Sequence, residues 1–130
     1  MTPKNQRTKD CSPTERAGRM QQAEGFWQDA EDLRELGEAS PNSVVTLYVH
    51  AGIAAADVIC CAKLGEYSNS ANHNEAITLL QKGDASLAPS LARLVGMKSA
   101  AGYGANPVSA QRVTTARSAA EKLVVAARAV

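Results

Sequence analysis

Aromatic residues are scarce in this 130-residue chain, since one Trp, one Phe and three Tyr make up only 4% of it. Alanine and other small residues take their place, the prolines number five, and β-branched runs are few outside residues 44–49. No strand pair and no internal repeat is apparent in the pattern. This composition favours helices that approach one another closely, in one domain with a single core.

The chain also lacks an excess of either charge, because its net charge at pH 7 is +1. Nothing global therefore indicates nucleic acid or an acidic partner. The charges are nevertheless unevenly placed: residues 24–38 hold six acids and one Arg, whereas residues 111–130 hold four basic residues and one acid. These segments either attract one another within the fold, mark partner surfaces, or form solvated helix faces.

The three cysteines, Cys11, Cys60 and Cys61, have no CxxC or Cys/His spacing typical of a zinc site. Adjacent cysteines in a helix point about 100° apart and cannot bond to each other, so no disulfide framework, no metal and no cofactor is expected. The first 16 residues contain no apolar core of the kind found in a secretory signal. Reduced thiols and a cytoplasmic location are the resulting expectations.

Capping signals and glycines divide the chain into a flexible tail, residues 1–11, and a single domain, residues 12–130. The first helix begins with a capping box made by Ser12 and Glu15, with Pro13 at its first position, and ends at Gly37. Similar signals indicate four further helices. The second helix runs from Asn42 or Ser43 to Gly65, and the third begins at a second capping box, Asn72 and Glu75, and runs through Lys82. The fourth helix begins near Asp84 or Ser86, and the fifth runs from Pro107 or Ser109 to the C-terminus. The predicted fold is all-α, an antiparallel up-and-down bundle of four to five helices.

One long apolar run, residues 43–65, is long enough to cross a bilayer. His50 and Asp57 within it would be costly in hydrocarbon, and the amphipathic helices around it need an apolar partner. We therefore predict the central core helix of a bundle, not a membrane span. Its run AGIAAAD, residues 51–57, suits close helix contact within the monomer or across a dimer interface.

His50 and Asp57 are seven residues apart, so they share a helix face about 10 Å apart. A third polar group placed between them could contact both. The candidates are His73, which is predicted to be exposed, and Lys98 and Tyr103, which lie in a glycine-rich bend. The functional interpretation is a polar ligand-binding pocket in which Asp57 orients a cation or an imidazole. The alternative is a buried network of hydrogen bonds, with Tyr103 packed against the bundle. Phosphate-loop and hydrolase motifs are absent.

From Thr14 to the C-terminus the chain resembles the HEPN family of helical bundles. The resemblance lies in YVHAGIAAADVICCAKLG, NHNEAITLL, LARLVGMKSAAGYG and SAQRVTTARSAAEKLVVAAR. It implies a bundle that is often dimeric, encoded beside a nucleotidyltransferase, and active in toxin–antitoxin, defence or RNA-processing systems. Many members are metal-independent ribonucleases with an Arg-x4–6-His motif.

Here Lys98 stands in place of the arginine of that motif and Tyr103 in place of the histidine. Lysine can hold a phosphate, but tyrosine is a poor acid–base group near pH 7. We therefore expect a non-catalytic or regulatory module that forms a homodimer and binds a nucleotidyltransferase-type protein, RNA or a nucleotide. The alternatives are an atypical ribonuclease using Lys98, Tyr103 and His73, and a structural adaptor that docks through its Ala/Gly helix face.

Overall fold

The computed structural model describes residues 7–70 and 72–130, so residues 1–6 of the predicted tail lie outside it. Within this range the chain forms a bundle of five helices and one two-stranded sheet, which confirms the all-α prediction. In chain order the elements are β1 (Thr8–Asp10), α1 (Pro13–Leu36), α2 (Pro41–Leu64), β2 (Glu66–Ser68), α3 (His73–Gly83), α4 (Ala88–Tyr103) and α5 (Ala110–Arg128).

The predicted helix ends are largely confirmed. Ser12 and Glu15 form the reciprocal capping box of α1, and α2 ends at Gly65, whose φ of 75° is a conformation that glycine adopts at little cost. The prediction of a second capping box, at Asn72 and Glu75, is wrong. Asn72 caps α3 through the backbone N–H of Asn74, but the N–H of Asn72 donates to Ser70 Oγ and leaves nothing for Glu75 to accept.

Helix α2 is the centre of the bundle and contacts all four other helices. Although it is long and apolar enough to cross a membrane, 78% of its most apolar window is buried inside the protein, as in the core helix of a soluble protein. At Gly52 the side chains of Leu94 and Leu123 occupy the space that a Cβ would need. The small side chains of the segment 51–56 are buried, so other helices of the same chain cover them.

Charged side chains fix how α1 lies against its neighbours. Arg117 donates two hydrogen bonds to Glu31, at 2.7 and 3.2 Å, and Arg128 donates two to Glu24, at 2.5 and 2.9 Å. Because the later arginine on α5 pairs with the earlier glutamate on α1, the two helices run antiparallel. The acidic and basic segments of the sequence therefore attract one another within the fold.

A small two-stranded sheet joins the N-terminal segment to the chain just after α2, and the sequence does not predict it. Strand β1 pairs antiparallel with β2, with Lys9 opposite Tyr67, so residues 8–10 of the predicted tail are part of a sheet. Beside it Cys11 and Cys61 form a disulfide with 5.4 Å between their Cα atoms. The expectation of reduced thiols is wrong for this pair, because strand pairing brings Cys11 to the last turn of α2; Cys60 is free and buried.

Candidate functional site

Lys98 and His73, predicted as candidate site residues, are in direct contact. Lys98 Nζ on α4 lies 2.8 Å from Nε2 of His73 at the start of α3. An ammonium group has only donors, so Nε2 accepts and His73 carries its proton on Nδ1. His73 is half-buried by this packing, which corrects the prediction that it is exposed.

His50 on α2 belongs to the same cluster. Burial lowers the pKa of His50, and the positive charges of Lys98 and Arg19 lower it further. Burial likewise lowers the pKa of His73, with Lys98 and His50 as further causes. The ring of His50 also lies against Phe26, with 5.3 Å between the ring centroids. Both imidazoles are therefore neutral near pH 7, beside one lysine ammonium.

Asp57 lies on α2 seven residues after His50 and has a partner that the sequence does not identify. Arg19 on α1 donates to its Oδ2 from Nε at 2.8 Å and approaches it with NH2 at 2.7 Å. Burial raises the pKa of Asp57 to about 6, against the opposing effect of Arg19. A guanidinium thus lies beside the carboxyl group that the sequence predicts to orient a cation.

An open cleft of about 450 Å³ lies between the Arg19–Asp57 pair and His73. Arg19 and Asp57 line it from α1 and α2, residues 67–70 form one wall, and His73 lines it from α3. His73 consequently faces the cleft and contacts Lys98 at the same time. A ligand in the cleft can reach a guanidinium, an imidazole N–H and the hydroxyl groups of the wall.

Tyr103 is separate from this cluster. It is the last residue of α4, and 85% of it is exposed, so its ring packs against no part of the site. Among residues 7–70 and 72–130, no three His, Cys, Asp or Glu side chains are arranged to hold a metal ion. The chemistry that this arrangement offers is that of one arginine–aspartate ion pair, one lysine ammonium that contacts His73, and two neutral imidazoles.

No protein-family model matches the chain, and no curated protein matches it at a significant level. The site must therefore be interpreted from its own geometry. Arg19 and Phe26 are the members that sequence reasoning missed. A buried Asp57 needs a cation beside it, and this is the one signal for Arg19 in the sequence. It does not single out Arg19, because several arginines lie on amphipathic helices.

Proposed function

We propose that this protein is a HEPN-like, cytoplasmic binding module that holds a phosphate-bearing ligand, RNA or a nucleotide, at the cluster of His50, His73 and Lys98. The observation that carries this proposal is the 2.8 Å contact between Lys98 and His73, a histidine that also lines an open cleft. An ammonium and an imidazole N–H are both donors to phosphate oxygens, and the guanidinium of Arg19, which is paired with Asp57, lines the same cleft.

Binding is favoured over catalysis by the protonation of the cluster. General acid–base cleavage of RNA needs a base to take the 2′-hydroxyl proton and an acid to protonate the leaving oxygen. Both histidines have a lowered pKa, so each is rarely protonated as an acid near neutral pH, and the one lone pair of His73, on Nε2, already accepts from Lys98. The exposed Tyr103 does not supply the missing proton.

A metal-independent ribonuclease is the second candidate function, and one observation favours it. His73 is within hydrogen-bond reach of Lys98, so a neutral base and a cation for the developing phosphorane charge lie side by side. Its catalytic residues would be His73, Lys98 and His50, without Tyr103.

The binding proposal is tested with a short, fluorescently labelled single-stranded oligoribonucleotide, using anisotropy at fixed salt concentration. Lys98→Met should weaken binding by roughly tenfold, because a charge-assisted contact contributes about 1.5–3 kcal/mol. Lys122→Met is the matched control, since Lys122 is exposed on α5. Equal effects of the two changes would overturn the proposal.

The same samples separate the two candidates. Incubation with the oligoribonucleotide in the presence of EDTA, followed by gel analysis, should show background cleavage by the wild type. Cleavage that Lys98→Met or His73→Ala abolishes, and that Lys122→Met retains, would replace the binding proposal by the ribonuclease.

The resemblance also leads us to propose a homodimer and a nucleotidyltransferase-type protein partner in a toxin–antitoxin, defence or stress setting. Light scattering of the purified chain tests the dimer, and a monomer at all concentrations would contradict it.

A further inference from the structure

The Cys11–Cys61 disulfide lies at one end of the segment that forms the cleft wall. It joins residues 50 apart in sequence, one immediately before the N-cap of α1 and the other in the last turn of α2. Three residues after α2, Tyr67 begins the wall of the cleft, which continues through Ser70. The covalent bond and the wall are thus parts of one short stretch of chain.

The wall is also held by packing of β2 on α2 and α3, by the Tyr67 ring against the core, and by a few hydrogen bonds. The Cys11 N–H donates to the Gly65 carbonyl at 3.0 Å, the Asn69 N–H donates to the Arg7 carbonyl at 2.7 Å, and Tyr67 Oη donates to Glu15 at 3.0 Å. Each strand of this sheet has three residues. An isolated pair of such short strands is marginally stable in water, and the disulfide adds a covalent tie between the end of β1 and α2.

The accessible end of the disulfide is Cys11. Cys11 is half-buried, whereas Cys61 is 7% exposed, so a small thiol reaches the sulfur of Cys11 first. The neighbouring Cys60 does not compete for exchange, because burial raises the pKa of its thiol to about 12, with Asp57 and Glu66 as further causes.

We propose that a dithiol reductant controls ligand binding at this cleft by opening the Cys11–Cys61 bond; the inference rests on the proposed function and adds its regulation. A thiolate of the reductant attacks Sγ of Cys11, forms a mixed disulfide and expels the sulfur of Cys61 as a thiolate, which takes up a proton. The second thiolate of the reductant then closes its own disulfide and expels Cys11, which is protonated in turn. Two electrons and two protons pass to the protein, and the reductant leaves oxidised.

In the oxidised protein the wall is fixed and the ligand meets a preformed cleft. In the reduced protein β1 is released from α2, and residues 67–70 must be ordered again when the ligand binds. That ordering weakens binding, by about tenfold for a few immobilised residues.

The test measures anisotropy of the labelled oligoribonucleotide with the air-oxidised protein and with the protein treated with dithiothreitol. Oxidised protein should bind about tenfold more tightly. Cys60→Ala should keep this response, because it leaves the disulfide intact, whereas Cys11→Ser combined with Cys61→Ser should bind like the reduced form and ignore dithiothreitol. Hydrogen exchange at the Asn69 amide should become faster on reduction, which reports the wall directly even where the double variant folds poorly.

The outcomes distinguish this inference from the function on which it rests. Equal binding by the oxidised and reduced protein overturns the redox control and leaves the binding function standing. Equal protection of the Asn69 amide from hydrogen exchange in both states has the same consequence. Failure of the oxidised protein to bind the oligoribonucleotide overturns the proposed function and the inference with it.

Discussion

Lys98 Nζ lies 2.8 Å from His73 Nε2, so a change at Lys98 should alter the titration of His73. Lys98→Met removes a positive charge that lowers the pKa of both histidines. The pKa of His50 and of His73 should therefore rise, yet stay below the ordinary value, because burial is the larger cause. Since the chain has two histidines, their ring signals in an NMR pH titration measure this directly.

Lys122→Met serves as the control in that titration, and it should leave both histidine pKa values where they are. If Lys98→Met moves neither signal, the contact between Lys98 and His73 is not formed in solution.

Asp57 should make the stability of the protein depend on pH in a specific direction. Burial raises its pKa to about 6 from an ordinary 3.8, so the folded protein takes up this proton at a higher pH than the unfolded chain. The contribution of Asp57 to the free energy of unfolding is fully present below about pH 4 and is lost as the pH rises through 6. This change amounts to as much as about 3 kcal/mol. Asp57→Asn should lack it.

Urea unfolding of the wild type and of Asp57→Asn across this range gives the measurement. The free energy of unfolding of the wild type, relative to the variant, should fall between pH 4 and pH 7. A difference that stays constant over this range would show that the carboxyl titrates alike in both states.

Gly52 should tolerate no larger side chain. In Gly52→Ala the new Cβ overlaps Leu94 Cδ1 and lies 3.3 Å from Leu123 Cδ1, which should lower the free energy of unfolding by about 1–3 kcal/mol. Gly25→Ala on α1 meets open space within the described part of the chain and should raise stability by about 0.5–1 kcal/mol. Chemical denaturation that ranks the two variants the other way would contradict the packing of α4 on α2.

The two ion pairs between α1 and α5 should differ in strength. Glu31 is only 16% exposed in its side chain and also accepts from Tyr48, whereas the side chains of Arg128 and Glu24 are both nearly half exposed. Arg117→Met should cost about 2 kcal/mol, and Arg128→Met less than about 1 kcal/mol. Thermal unfolding of both variants compares them, and equal losses would mean that burial of Glu31 adds nothing.

Much of the fold is local and was therefore predictable from sequence. The cap at Ser12 and the left-handed end at Gly65 depend on residues within one turn of each other. The burial of α2 follows from its own composition. The strand pair and the Cys11–Cys61 bond were missed because three-residue strands give no periodic signal and their pairing spans more than 50 residues.

The site was predictable only in part, for the same reason. His50, His73 and Lys98 were identified as polar groups within or beside apolar helices, and the fold brings them together. The partners Arg19 and Phe26 lie on a different helix, and nothing near them in sequence marks them out from other residues of α1. Tyr103 is predicted from its place in a glycine-rich bend beside Lys98 and from the family resemblance, and its exposure separates it from the cluster.

The most direct test of the central claim is an NMR titration of the His50 and His73 ring signals with adenosine 5′-monophosphate at neutral pH, in the wild type and in Lys98→Met. The proposed site predicts that both ring signals of the wild type shift and saturate together, and that Lys98→Met weakens the apparent affinity by about tenfold. Ring signals that stay unchanged throughout, or a response that Lys98→Met leaves intact, would contradict phosphate binding at this cluster.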